Sequence, residues 1–414
     1  MALASCASMF RSPQPASVRV LNDAAGEPRM RVRIATEAAE ARFGATGDVV
    51  VDNHPGLGRP VTLRSPVRVR LGESGWIVTD HGGATRHFDR GQPLALRHAD
   101  GADIAFGETP YPGVVLLHTR PTLSPGVFDV VNHVPIERYL PGVVAKELYP
   151  NWHAAAFETQ AIAARSYALH ERQRRMGRGD HFDIESTDRD QVYGGATTNQ
   201  TALRAVEATR GLVLTYRGHL LRAYYSSTCG GRPGSARDTW PTGRGFEYNL
   251  AAPLQGRERE HACQTSPLYA WTVERSTDDV LRRVQAWGAA SGYAVRNMAS
   301  LARVEVFRRN EAGRAAEFRL YDAQGKWWAL SAEQFRNASN HPATGLPNIV
   351  RETRIHSGDV EVRIDRGRVA YTGRGFGHGV GMCQFCTQTF ATRGESARGI
   401  LARFYPDTSI ETRY

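Results

Sequence analysis

The sequence predicts a mixed α+β protein: a β-rich N-terminal unit followed by a core of strands and short helices. Three observations carry this. Apolar and polar residues alternate in short runs between Met30 and Pro125, the pattern turns helical near Val134, and strand and helix patterns then interleave to the C-terminus. At 414 residues the chain is long enough for two or three folded units, and its 41 Gly and 21 Pro imply many turns.

Taken in order, residues 1–28 read as a tail, 29–125 as the β-rich unit and 126–414 as the α+β core. Met30–Ile34, Val61–Arg64 and Val67–Leu71 alternate as half-buried strands do. Pro135 suits a first helical position, with Ile136–Leu140 as a short helix. Pro141 and Gly142 are expected to interrupt it before a second turn that carries Glu147. Asn151 can cap a helix over Trp152–Arg174, where Phe157, Ala161, Ala164 and Ala168 share a face for close packing. Residues 181–228 return to strand and turn, with a helix over Thr201–Thr209. Further helices are predicted over Asp278–Ala290, Ala332–Asn337 and Ser396–Phe404, and strands within Val304–Tyr321 and Val360–Tyr371.

No apolar run approaches the roughly 18 residues that span a bilayer. The net charge of +10 favours anionic partners, although only Lys146 and Lys326 are lysine among 52 basic residues, an Arg bias that reflects composition. The densest run, Arg172 to Arg175 with Arg178, reads as the solvated end of a helix, so no nucleic-acid partner is expected. Five cysteines leave at least one unpaired. Leu3-Ala4-Ser5-Cys6 resembles a lipobox, which makes Cys6 a candidate lipid anchor, yet Met1-Ala2 supplies neither the charged start nor the apolar stretch of roughly 7–15 residues of an export signal. Cys383 and Cys386 have C-x-x-C spacing, and Cys229, His261 and Cys263 could complete a zinc site. A Cys229–Cys263 disulfide fits an exported protein at least as well, so no metal or other cofactor is assigned.

Four segments can carry chemistry. Val143-Val144-Ala145-Lys146-Glu147-Leu148 sets a carboxylate among apolar residues, where desolvation raises its pKa as a general acid needs. The local pattern alone favours a plainer role, a surface carboxylate paired with a basic residue. Gln160 and Tyr167 follow on one helix face, with Arg165 about 140° around the axis from Gln160. His181–Gly195 alternates acids with other residues and ends in Gln191, Tyr193 and two glycines, suited equally to a sugar-binding wall or an acidic turn. Tyr224–Arg232 runs hydroxyls, including Ser226 and Thr228, into paired glycines, but lacks the strand–turn–helix elbow of a serine nucleophile. Gly373–Gln384 places five glycines at every second residue around His378, which in an extended segment puts them all on one side for close approach of a backbone or flat ligand.

Together these segments resemble the SpoIID/LytB family. Val134–Glu147 resembles its opening motif and Gln160–Ala168 its second. Asp190–Gly195, Ser226–Gly231 and Gly377–Gln384 resemble the rest in order, with Ile400–Thr408 at the end. The resemblance spans about residues 126–414. It implies a peptidoglycan lytic transglycosylase acting on glycan strands that lack stem peptides, in the cell envelope. Glu147 falls on the catalytic position. It would protonate the glycosidic oxygen after N-acetylmuramic acid, then take the proton of that sugar's 6-hydroxyl as an anhydro ring closes, so no second carboxylate is required. Gln160, Tyr167, Gln191, Tyr193, Ser226, Thr228 and His378 become candidate groove residues, with Arg165 positioning them or binding the lactyl carboxylate. Some sporulation-type members hold zinc in the loop before Gln-Val-Tyr; here Ile184 and Asp190 occupy those cysteine positions. The last motif also departs from the family pattern, reading Gln384-Phe385-Cys386-Thr387. Two other readings stay open: a glycan-binding partner that stimulates a cell-wall amidase, and a muramidase using Asp183, Glu185 or Asp188 as second acid.

Overall fold

The computed structural model describes residues 26–53, 60–120 and 126–414; Cys6 lies outside them. The chain is mixed α+β, with three hydrophobic cores. The first is all β. A seven-stranded sheet orders Ile184–Glu185, Arg29–Ala38, Phe128–Pro135, Val114–Thr119, Leu94–His98, Val49–Asp52 and Val61–Leu63. A six-stranded sheet orders Thr109–Tyr111, Ile104–Phe106, Glu40–Gly44, Val67–Leu71, Trp76–Thr79 and Thr85–Phe88. The alternation in Val67–Leu71 is literal: Val67, Val69 and Leu71 are buried while Arg68 and Arg70 are exposed. Phe43, Trp76, Leu96, Leu117 and Phe128 fill the core shared by the two sheets.

Strand Phe128–Pro135 ties this unit to the rest. It pairs with Arg29–Ala38 (Met30 opposite Val134), and its last residue caps helix Ile136–Glu147. The helix runs unbroken through Pro141 and Gly142, where an interruption was expected. The Pro141 ring costs one intrahelical bond, but Tyr139, Leu140, Val143 and Val144 bury fully on both sides and hold the turn. Gly142 serves contact instead: a Cβ there would lie 2.0 Å from the Gly195 carbonyl oxygen. Helix Ala154–Gly177 follows, capped by the His153 side chain, which accepts from the Ala155 amide, rather than by Asn151. Its alanine face packs against helices Gln200–Ala208 and Ala397–Phe404 in the second core.

The third core lies within residues 271–371. Strands Ala270–Ser276, Arg368–Arg374 and Val360–Asp365 form one sheet, and Arg303–Arg309, Ala315–Tyr321 and Trp327–Ser331 another. Helices Thr277–Ser291 and Ala332–Ser339 pack with them through Val284, Trp287, Phe318 and Phe335. This unit is an insertion, because the chain leaves the second core before it and returns afterwards through Met382–Cys383, which pairs in parallel with Tyr225–Ser226. No helix of the described residues is long and apolar enough to cross a membrane.

Candidate active site

The site assembles where helix Ile136–Glu147 ends. Glu147 is its last residue, at the negative end of the helix dipole, which disfavours ionisation. It opens into a cleft of about 610 Å³. Gln384 Nε2 donates to Glu147 Oε2 at 2.9 Å and to Gln160 Oε1 at 3.3 Å, and the Tyr225 hydroxyl also hydrogen-bonds Glu147. Both partners are neutral donors. Burial pushes the carboxyl pKa up from 4.5 to about 7, and the amide and phenol pull it back only in part. Among the described residues the surface ion pair that the local pattern favoured does not form: Lys146 is exposed, its chain packed over Gly194.

The carboxyl group is braced by a chain of hydrogen bonds. The Tyr139 hydroxyl donates to Gln191 Oε1 at 3.0 Å, and Gln191 Nε2 donates to the Tyr225 hydroxyl at 2.9 Å and to the Ala164 carbonyl at 3.2 Å. Gln160 and Gln191 are thus buried behind Glu147 rather than lining the cleft. Tyr193 is also buried; its hydroxyl donates to Asn132 and its ring packs on Tyr139. The Tyr167 hydroxyl donates to Asp190 at 3.2 Å and accepts from Arg222 at 3.0 Å. Thr228 is fully buried against Ser266. Among the predicted groove residues, Ser226 and His378 line the cleft with Glu147. The Ser226 Oγ is buried and has no partner among the described residues.

Arg165 requires a correction. Its guanidinium is fully buried and forks onto Glu137, with Nε to Oε1 at 3.0 Å and Nη2 to Oε2 at 2.7 Å, and it also donates to the Val206 and Leu212 carbonyls. Every donor direction that could reach a ligand is spent inside the fold, so it neither lines the groove nor meets a lactyl carboxylate. Lys146, Arg336 and Arg354 are the cations that line the cleft, the two arginines coming from the inserted unit. Arg336 is paired with Glu333, while Arg354 is exposed and has no carboxylate partner among the described residues. Charge alone could not single these two out among so many arginines.

The glycine run also differs from the expected extended segment. Gly375, Gly377, Gly379 and Gly381 have φ between +70° and +91°, so the backbone kinks at each instead of alternating in plane. Close approach still occurs: a Cβ on Gly381 would lie 2.0 Å from the Tyr224 carbonyl oxygen. The kinks break the common facing of side chains. Phe376 and His378 line the cleft, whereas Val380 and Met382 are buried. Sequence reasoning also passed over an aromatic shelf beside Glu147. Trp152 lies 5.4 Å from Tyr149 and 5.1 Å from Phe385, centroid to centroid, and Tyr149 is 55% exposed, enough to offer a sugar a stacking face. Tyr149 and Trp152, soon after Glu147 in the sequence, were the available signal.

A second cavity of about 400 Å³ shares Tyr149, Ser227, Arg354, Phe376 and Phe385 with the cleft and prolongs it along Ser266–Leu268. The result is a long groove lined by the carboxyl groups of Glu147, Asp188 and Asp190, by aromatic faces and by cations. The arrangement sets a glutamate at a helix end in a cleft that the glycine-kinked loop also lines. The Stage II sporulation protein family matches residues 125–216, and a domain of unknown function (DUF8618) matches residues 247–381. The chain is 26% identical to the amidase enhancer of Bacillus subtilis over 66% of its own length and 40% of that protein's. It is 23% identical to stage II sporulation protein D of the same organism, over 68% of this chain and 75% of that one. An uncharacterized protein of Brachyspira hyodysenteriae is 26% identical over 68% of each chain. Residues 125–216 are thus similar to the SpoIID family, and the chain as a whole resembles the amidase enhancer and stage II sporulation protein D while spanning less than half the length of the former.

Proposed function

We propose that the protein is a peptidoglycan lytic transglycosylase of the cell envelope, with Glu147 acting as acid and then base. The observation that supports this most is the state of Glu147: a carboxyl group in the cleft, held only by neutral donors, with its pKa raised to about 7. Such a group is protonated often enough near neutral pH to donate to a glycosidic oxygen, and basic enough afterwards to accept the 6-hydroxyl proton. Tyr149, Trp152 and Phe385 give sugar rings apolar faces, and Arg354, with Arg336, replaces Arg165 as the cation for a muramic lactyl carboxylate.

The muramidase alternative narrows. Asp183 is buried against Arg31 and Glu185 is paired with Arg33, so neither is free to activate water; Asp188 alone of the three lines the cleft. The non-catalytic reading draws on the similarity to an amidase enhancer, and in it the same groove binds glycan while an amidase is the partner. Digestion of peptide-free glycan, with mass spectrometry of the new ends, separates the three. Anhydro ends support the transglycosylase, hydrated ends transfer the second role to Asp188, and binding without cleavage supports the enhancer.

A further inference from the structure

Cys229, Cys263, Cys383 and Cys386 come from three distant stretches of sequence, yet their sulfur atoms all lie within 4.8 Å of one another. Cys229 Sγ is 3.6 Å from Cys263 Sγ and 4.0 Å from Cys386 Sγ. A tetrahedral zinc tetrathiolate, with Zn–S of about 2.3 Å, separates its sulfurs by roughly 3.8 Å. All four side chains are buried. The spacing matches ligation of one ion better than a disulfide, whose sulfurs sit about 2.05 Å apart.

The surroundings fit anionic sulfur. The backbone amide of Cys229 donates to Cys383 Sγ at 3.3 Å, and that of Ala262 donates to Cys386 Sγ at 3.3 Å. Amide-to-sulfur bonds of this kind stabilise a thiolate and do nothing comparable for a packed, neutral thiol. Cys383 caps helix Gln384–Thr392 and Cys386 lies in its first turn, at the positive end of the helix dipole. The His261 Nδ1 is 3.7 Å from Cys229 Sγ, in position to act as an outer partner. The buried Arg314 guanidinium donates to the Cys229 carbonyl at 3.3 Å, which brings positive charge toward a site that four thiolates and one divalent ion leave at −2.

We propose that these four thiolates bind a single structural zinc ion. The site is separate from the loop before Gln191, where Ile184 and Asp190 offer no thiol. It closes the base of the inserted unit: Cys229 and Cys263 precede that unit, and Cys383 and Cys386 follow it. It also pins the cleft wall. Gln384 stands between two ligands, and Ser227 is two residues from a third. The metal assignment does not depend on the proposed glycan chemistry, because metal content and thiol state are read without a glycan.

The test uses the full chain purified with and without reductant. Metal analysis is expected to give about one zinc per chain. Cobalt(II) exchanged into the site should show thiolate-to-cobalt charge transfer and tetrahedral ligand-field bands, both lost in Cys386→Ser. If that variant does not fold, titrating the wild type with a mercurial should release the zinc as the four thiols react. Two disulfides and no metal by intact mass, or four free thiols and no metal, would overturn the proposal. Stoichiometric iron in place of zinc would overturn the choice of ion.

Discussion

Glu147→Gln should make the protein more stable above neutral pH while abolishing its activity. The carboxyl group has a folded-state pKa of about 7 against an ordinary 4.5, so between those values the folded chain holds a proton that the unfolded chain has lost. Stability from this group is therefore highest below the unfolded value and falls as pH rises through 7. At about 1.36 kcal/mol per pH unit, the cost of ionising it in the fold approaches a ceiling of roughly 3 kcal/mol. Glutamine cannot ionise, and its amide oxygen still accepts from Gln384 Nε2. Its amide nitrogen can donate to the Tyr225 hydroxyl oxygen, which has acceptor capacity. Discounting for relaxation, the gain above pH 7 is about 1–3 kcal/mol, or a few degrees in melting temperature. Paired thermal melts of wild type and variant at about pH 4, 6 and 8 read it directly. The difference should be near zero at the lowest pH, open through the middle and level off at the highest. A difference that is flat with pH, or that favours the wild type above pH 7, would refute the account of how Glu147 is held.

Other predictions follow from the same geometry. Because Gln384 lowers the Glu147 pKa by donating to its carboxylate, Gln384→Ala should move the alkaline limb of the pH–rate profile upward from about 7; an unmoved limb would place the titrating group elsewhere. Arg165→Ala leaves Glu137 buried without its cation and should cost about 3–5 kcal/mol in denaturant unfolding, with Glu137→Gln recovering part of it in the double variant. Arg354→Ala should weaken glycan binding and spare the fold, with KM rising more than kcat falls, because it is exposed and unpaired by any carboxylate among the described residues. Gly142→Ala forces a Cβ to within 2.0 Å of the Gly195 carbonyl and should destabilise by about 1–3 kcal/mol in the same unfolding assay.

How much of this was legible in the sequence depends on the physical signal behind each residue. Strands such as Val67–Leu71 were readable because burial on one face writes a period of two into the residues. Glu147 was readable as a catalytic candidate through motif order, and its apolar neighbours correctly suggested desolvation. Pro141 misled because local propensity counts the lost bond and cannot see Val143 and Val144 locked in a core. Arg165 misled for a related reason: an arginine on a helix next to a catalytic motif looks available, and only the tertiary fold shows Glu137 consuming its donors. The glycines announced close contact but not left-handed geometry, since Gly is compatible with either. The cysteines could be named together as zinc candidates but not chosen over a Cys229–Cys263 disulfide, because they are separated by up to 157 positions and only the insertion's return brings Cys383 and Cys386 onto Cys229. The inserted unit's helices and some of its strands could be read singly, but no periodicity says that they close a core of their own.

In the proposed reaction Glu147 cleaves glycan without water. The most direct measurement is mass spectrometry of the ends generated from peptide-free glycan by the wild type and by Glu147→Gln. The wild type should give 1,6-anhydro-N-acetylmuramic acid ends and the variant none, while the variant should still bind the strand. Hydrated reducing ends, or anhydro ends that persist in Glu147→Gln, would contradict it.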